Sequence, residues 1–249
     1  DGAYLERTPG SASNQKTWTW SGWVKRSVLQ SSDWMMLFAA HTNSGGASGG
    51  WCVIQFNSDT IYFNAWYDNW RQTDRLFRDV SAWYHVVLAL DTTQSTADDR
   101  IKIYINGTMI PHSDFQVKNN PDLNEDLGVN STVKHRLGAV DYASDNGNYD
   151  GYMAEVNFID GTALTPSAFG ETDSTTGQWI PKEYNTASGA YGTNGFYCKF
   201  VSGSLGTDSS GEGNNYTAVN LADTDVMLDT PTNNFCTLNP IETAGATLT

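Results

Sequence analysis

Only three cysteines occur in the 249 residues, and that scarcity removes two classes of protein at once. Cys52, Cys198 and Cys236 are odd in number, far apart and without metal-ligand spacing, so neither a disulfide framework nor a zinc cage is encoded. Two of them sit in apolar strand-like runs, where cysteine reads as a small buried residue with a free thiol. Basic residues are also few: 14 Lys and Arg stand against 28 Asp and Glu, a net charge of -14. A chain this acidic lacks the basic patch that a nucleic-acid or anionic-membrane partner requires, whereas clustered Asp suits cation binding. No run approaches the ~20 apolar residues of a membrane span, so membrane insertion is not expected. No signal peptide is visible; the chain opens at Asp1, without Met and almost directly in a strand, as a fragment or processed product does. Helix signals are almost missing. The exception is residues 165–170, where Thr165 can cap, Pro166 fits the first helical position and Gly170 stops the turn.

What is abundant is aromatic side chains: 12% of the chain, with nine Trp. Strands favour aromatic and β-branched residues, and so do carbohydrate-binding surfaces. The alternation that separates strand from helix is plain in several places. In residues 82–90, Tyr84, Val86, Leu88 and Leu90 alternate with His85, Val87 and Ala89. In residues 101–105, Ile101, Ile103 and Ile105 share one side, and Asn106-Gly107 then supplies the pair that accepts a tight hairpin turn. This pair of strands is expected at the centre of a sheet. Residues 17–26 alternate as cleanly, with Trp18, Trp20, Gly22 and Val24 assigned to the core and Thr19, Ser21, Trp23 and Lys25 to the other face.

Further strands are expected over residues 3–8, 34–40, 51–56, 60–66, 133–140, 152–159 and 196–200. The run 152–159 breaks phase near Ala154-Glu155. Residues 67–77 read as a loop leading into a strand, 111–130 as a long surface excursion, and 141–150 as a polar loop. Residues 43–50 (NSGGASGG) form a loop too poor in side chains to pack. Three N-x-S/T sequons, at Asn106, Asn130 and Asn215, matter only on a eukaryotic secretory route. Many strands with polar turns and almost no helix imply an all-β, two-sheet antiparallel sandwich or jelly roll. The sandwich is assigned to residues 1–200. Residues 201–249 are read as an extended C-terminal segment: a closing strand, a tail, or the start of a second module.

Three segments in order, WTWSGWVKRS, then AWYHVVLAL with IKIYING, then YDGYMAEVNFIDGTALTPSAFG, resemble the concanavalin A-like, laminin-G-like jelly-roll superfamily. His85 stands in the second His place of the W-H-H-V strand of that pattern, after Trp83-Tyr84, and the acidic pair of its last strand is reduced to Ala154-Glu155. The segments RTPGSASNQKTWTWSGWVKRS, EVNFIDGTALTPSAFGETD, YGTNGFYCKF and DTPTNNFCTLNP are similar to structural proteins of tailed phages, marine ones especially. That resemblance implies a virion surface protein, on capsid or fibre, whose partners are other virion proteins, copies of itself and a host surface glycan. DSSGEGNN at residues 208–215 resembles the opening of a further module of the same kind.

Catalytic chemistry is sparse. Glycoside hydrolysis needs two carboxylates about 5–10 Å apart. The glucanases of the superfamily carry E-x-D-x-E on one strand, and no such triplet exists; Glu155 is the one acid inside the last strand before Asp160. The four histidines, 41, 85, 112 and 135, are not accompanied by a G-x-S-x-G elbow, and His85 on a strand reads as structural, with a hydrogen-bonded partner. Sugar binding would use an aromatic platform beside polar groups; Trp66, Tyr67, Asp68, Asn69, Trp70 and Arg71 form the densest such cluster, against the alternative that its tryptophans pack inward. A calcium ion would need several oxygen ligands. Asp98-Asp99, Asp141, Asp145, Asp150 and Asp208 lie in suitable loops, with Asp145 and Asp150 ahead, though Asp in turns commonly serves the backbone alone. The functional expectation is therefore a non-enzymatic virion surface module. A carbohydrate-binding receptor module is the alternative, and a glycan hydrolase the third reading.

Overall fold

The computed structural model describes residues 2–29, 34–41, 51–65, 68–141, 147–184 and 187–233. Within them the strands are β1 (Tyr4–Arg7), β2 (Thr17–Arg26), β3 (Trp34–His41), β4 (Cys52–Asn57), β5 (Thr60–Ala65), β6 (Asn69–Thr73), β7 (Tyr84–Asp91) and β8 (Ile101–Ile105). They continue as β9 (Thr108–Met109), β10 (Phe115–Lys118), β11 (Lys134–Leu137), β12 (Gly151–Asp160), β13 (Gly170–Thr172), β14 (Trp179–Pro181), β15 (Phe196–Cys198) and β16 (Thr217–Val219). Helical structure among the described residues is confined to short 3-10 turns, one of them the expected Pro166–Ala168.

The strands form two large antiparallel sheets and a small hairpin. The larger sheet runs β10-β6-β5-β4-β3-β11-β1-β16; the smaller runs β15-β12-β2-β7-β8-β9; β13 and β14 pair on their own. This is the two-sheet jelly-roll sandwich expected from the alternation. β7 is interior, but β8 lies next to the edge, because the Asn106-Gly107 turn sends the chain into the two-residue β9. Two stretches differ from expectation. Asn69–Thr73 is a strand inside the supposed loop, and Phe115–Lys118, within the supposed excursion, pairs with it as the sheet edge. β10 is the edge strand and pairs on one side only, while β6 is short and pairs with β5 through a register shift, so neither shows a sustained alternation in the sequence.

The core lies between the sheets. Trp18 and Trp20 are fully buried, and Trp18 packs on Phe158 at 5.8 Å and Phe63 at 5.9 Å. Phe38 and Phe196 extend the same stack. Cys52 and Cys198 are buried free thiols, and burial raises the pKa of both; Cys236 lies outside the described residues. The phase break at Ala154-Glu155 is a β-bulge. Ala154 pairs with Trp23 and Asn157 with Ser21, so Glu155 and Val156 together face Gly22. Gly22 admits this because a Cβ there would meet the Trp20 ring at 2.7 Å. Glu155 takes a left-handed φ of 52°.

The opposite face of β2 is covered as well, contrary to a simple inside–outside alternation. The chain after β12 folds back over the smaller sheet and builds a second apolar layer from Val87, Ile159, Phe169, Tyr191 and Tyr197. Thr19, Ser21, Trp23 and Lys25 are therefore all buried. Beyond β15 the chain returns to the larger sheet: Tyr216 enters the core against Phe196 at 4.8 Å, and β16 closes the edge beside β1.

Candidate functional site

His85 is the first site residue the structure explains. β2 and β7 pair in register, which sets Ser21 Oγ 2.9 Å from His85 Nε2. Trp179 of the β13–β14 hairpin donates its indole N–H to His85 Nδ1 at 2.9 Å, so Nδ1 accepts and Nε2 carries the proton toward Ser21. A Ser-His-Asp base needs a carboxylate at that second nitrogen; here an indole occupies it. Burial drives the His85 pKa down to about 3. The pair is structural, as expected for this histidine.

The described residues of the expected aromatic platform, 68–71, do not share one exposed surface. Asp68 and Asn69 are exposed, but Trp70 is 2% exposed and packs on Phe63 at 5.1 Å. Arg71 is buried, with its guanidinium bonded to the Trp70 and Asn119 carbonyls and the Asn120 side chain. The reason is the strand itself: Asn69–Thr73 belongs to the larger sheet, so Trp70 is drawn into the core and Arg71 into the joint with β10. Trp66 and Tyr67 lie outside the described residues. A small polar cleft of about 250 Å³ remains beside Asp68, Asn69, Asn119, Asp122 and Glu125.

Among the described residues the expected calcium ligands lie apart from one another. Asp98 faces His112 at 3.2 Å, Asp99 faces Lys102 at 3.2 Å, and Asp141 faces Arg136 at 3.3 Å and Lys134 at 3.4 Å. Asp208 is buried and accepts from the Tyr197, Ser210 and Asn214 amides and the Ser210 hydroxyl. Asp145 lies outside the described residues, and Asp150 is exposed. Among the described residues no group of three or more His, Cys, Asp or Glu side chains could hold a metal ion.

A larger concavity lies elsewhere. A cleft of about 740 Å³ opens at one end of the sandwich, where β1 and the start of β12 meet the segment after β15. Tyr4, Trp83, Tyr152, Met153 and Phe200 supply apolar and aromatic wall; Asn148, Asp150, Lys199 and Asp225 supply polar groups. Residues 221–230 cross it as a strap and form its far wall. The strap is fastened by Asp229, whose carboxylate lies 2.5 Å from Lys25 Nζ and accepts from the Trp83 indole at 3.4 Å. Lys25 and Asp229 side chains are only 4% and 5% exposed. Two non-glycine residues with left-handed backbone stand at or next to this cleft: Phe200, with φ 55°, lines it, and Glu155 follows the lining residue Ala154. Such conformations cost of order 1–2 kcal/mol each and persist where surroundings impose them. Glu155 is held by the Tyr197 hydroxyl. Of the sequence candidates among the described residues only Asp150 lies here, because the cleft is assembled from segments far apart in the chain.

The family described as the concanavalin A-like lectin/glucanases superfamily matches residues 1–168. The chain belongs to this superfamily. Among solved structures, a proposed carbohydrate binding protein from Bacteroides ovatus ATCC 8483 superposes with a TM-score of 0.55 at 15% identity, over 88% of this chain and 56% of the other. The present chain thus spans little more than half of that protein. A heptameric SAP-like pentraxin from Limulus polyphemus gives a TM-score of 0.44 at 14% identity, over 66% of this chain and 71% of the pentraxin. The CBM40 of a Ruminococcus gnavus IT-sialidase, bound to α2,3 sialyllactose, gives 0.43 at 11% identity, over 61% and 80%. At these identities the likenesses concern the fold. No curated protein matches the chain in sequence. Membership of the lectin/glucanase superfamily accounts for the two-sheet frame, while the cleft is built largely from what lies around that frame: the turn into β12, the segment after β15 and the strap.

Proposed function

We propose that this chain is a non-enzymatic glycan-binding module, carried on the surface of a tailed-phage particle. The observation that carries the binding reading is the 740 Å³ cleft, which joins an aromatic wall to several hydrogen-bonding groups. Saccharides present apolar ring faces and a rim of hydroxyls, and a concave site with these two features answers both. The lectin/glucanase frame and the carbohydrate binding proposed for the Bacteroides ovatus protein point the same way. Against hydrolysis stand the missing E-x-D-x-E triplet and the commitment of Glu155 to Tyr197. The virion setting rests on the four segments that are similar to tailed-phage structural proteins. Attachment to other virion proteins or to copies of itself rests on the same resemblance.

A glycan array probed with the purified chain should give hits among microbial surface polysaccharides, and incubation with those hits should release no reducing ends. An array without hits overturns the binding reading, and released ends would replace a binder with a hydrolase. Antibody labelling of intact particles is expected to mark the particle surface; label confined to unassembled protein would remove the virion setting.

A further inference from the structure

Resting on the glycan-binding reading, we infer that the cleft takes uncharged saccharides and turns away sialylated, uronate-bearing and sulfated ones. The inference comes from tallying every charge that faces the cavity. From β2, Lys25 reaches the strap and is neutralised by Asp229 at 2.5 Å. From the segment after β15, Lys199 lies 3.0 Å from Glu183 and over the Tyr197 ring at 4.9 Å, so the part-exposed pair brings no net positive charge. From β11, Arg136 covers the Tyr4 ring at 4.3 Å but is tied to Glu6 at 3.0 Å and Asp141 at 3.3 Å. What is left facing the cavity is Asp150 from the turn before β12 and Asp225 from the strap, both exposed and without an ion pair among the described residues. Among the described residues no arginine lines the cleft.

A carboxylate is a good acceptor for paired sugar hydroxyls and needs no counter-charge to do so. A second anion brought into the same cavity meets two like charges and no unengaged cation, inside a chain of net charge -14. Like-charge placement of this kind works by rejection and not by added attraction. At partly screened separations it is worth about a factor of ten in affinity.

The test uses the whole purified chain and matched neutral and acidic probes: lactose with sialyllactose, and galactan, mannan and glucan oligosaccharides each with its sulfated form. Binding is read by titration calorimetry. The neutral member of any bound pair should bind at least about tenfold more tightly. The double variant Asp150→Asn, Asp225→Asn should close most of that gap, read as the ratio of the neutral to the acidic affinity measured on the same variant. Both positions are exposed, so the variant is expected to fold, with circular dichroism as the check. Acidic probes bound as well as neutral ones overturn the inference, as does a gap that persists in the double variant. Failure of the folded chain to bind either member of every pair overturns the glycan reading beneath it.

Discussion

Trp179 donates to Nδ1 of His85 while Nε2 donates to Ser21, so a second proton on the ring would set two N–H groups against each other. His135 is held similarly: its Nδ1 faces the Val133 carbonyl at 2.8 Å and its Nε2 accepts from the Asn130 amide at 3.1 Å. Burial is the main cause that lowers the two pKa values, to about 3 and about 4, from an ordinary 6.5. Below pH 6.5 the unfolded chain therefore binds protons that the folded chain refuses, and stability falls as pH drops through that window. Urea unfolding should show a loss of order 5 kcal/mol between pH 7 and pH 4.5; a flat profile would contradict buried neutral histidines. Trp70 gives a second prediction at this scale. Its side chain fills core beside Phe63, so Trp70→Ala should lower stability by about 3–5 kcal/mol. Loss of glycan binding at unchanged stability would instead place Trp70 in a surface platform.

At the scale of elements, the strap across the cleft has no strand pairing between β16 and Thr230, and a buried ion pair fastens it. Asp229→Asn removes the charge that offsets Lys25 at nearly constant shape, and should cost up to about 3 kcal/mol. Hydrogen exchange is expected to rise first in residues 221–230, with the core of β2 and β7 still protected. Uniform acceleration across both sheets would show instead that the pair supports the whole sandwich. Strands with strong local alternation were legible in the sequence: β2 and β8 have the bounds their patterns imply, because alternation is written in neighbouring residues. The bulge in β12 was also visible, as a phase break at Ala154-Glu155. β6 and β10 were not, since an edge pair formed between distant segments leaves little local pattern.

On the scale of the whole molecule, sandwich and acidic charge are readable from composition and periodicity, whereas the cleft is not. Its walls come from β1, the turn into β12, the segment after β15 and the strap, and only the fold brings Tyr4, Tyr152 and Phe200 together. Among the described residues Asp150 is the one sequence candidate that stands there, chosen for a metal and not for a sugar. The outer face of the larger sheet is the competing location. There the Gln55 and Asn64 side-chain oxygens are buried without a hydrogen-bond partner, near Tyr62. Chemical-shift mapping of the labelled chain with a bound array glycan separates the two places directly. The account predicts perturbed amides at Tyr152, Phe200 and residues 221–230, and binding abolished by Tyr152→Ala with Phe200→Ala. Perturbations centred on Gln55, Tyr62 and Asn64, with the cleft silent, would contradict it.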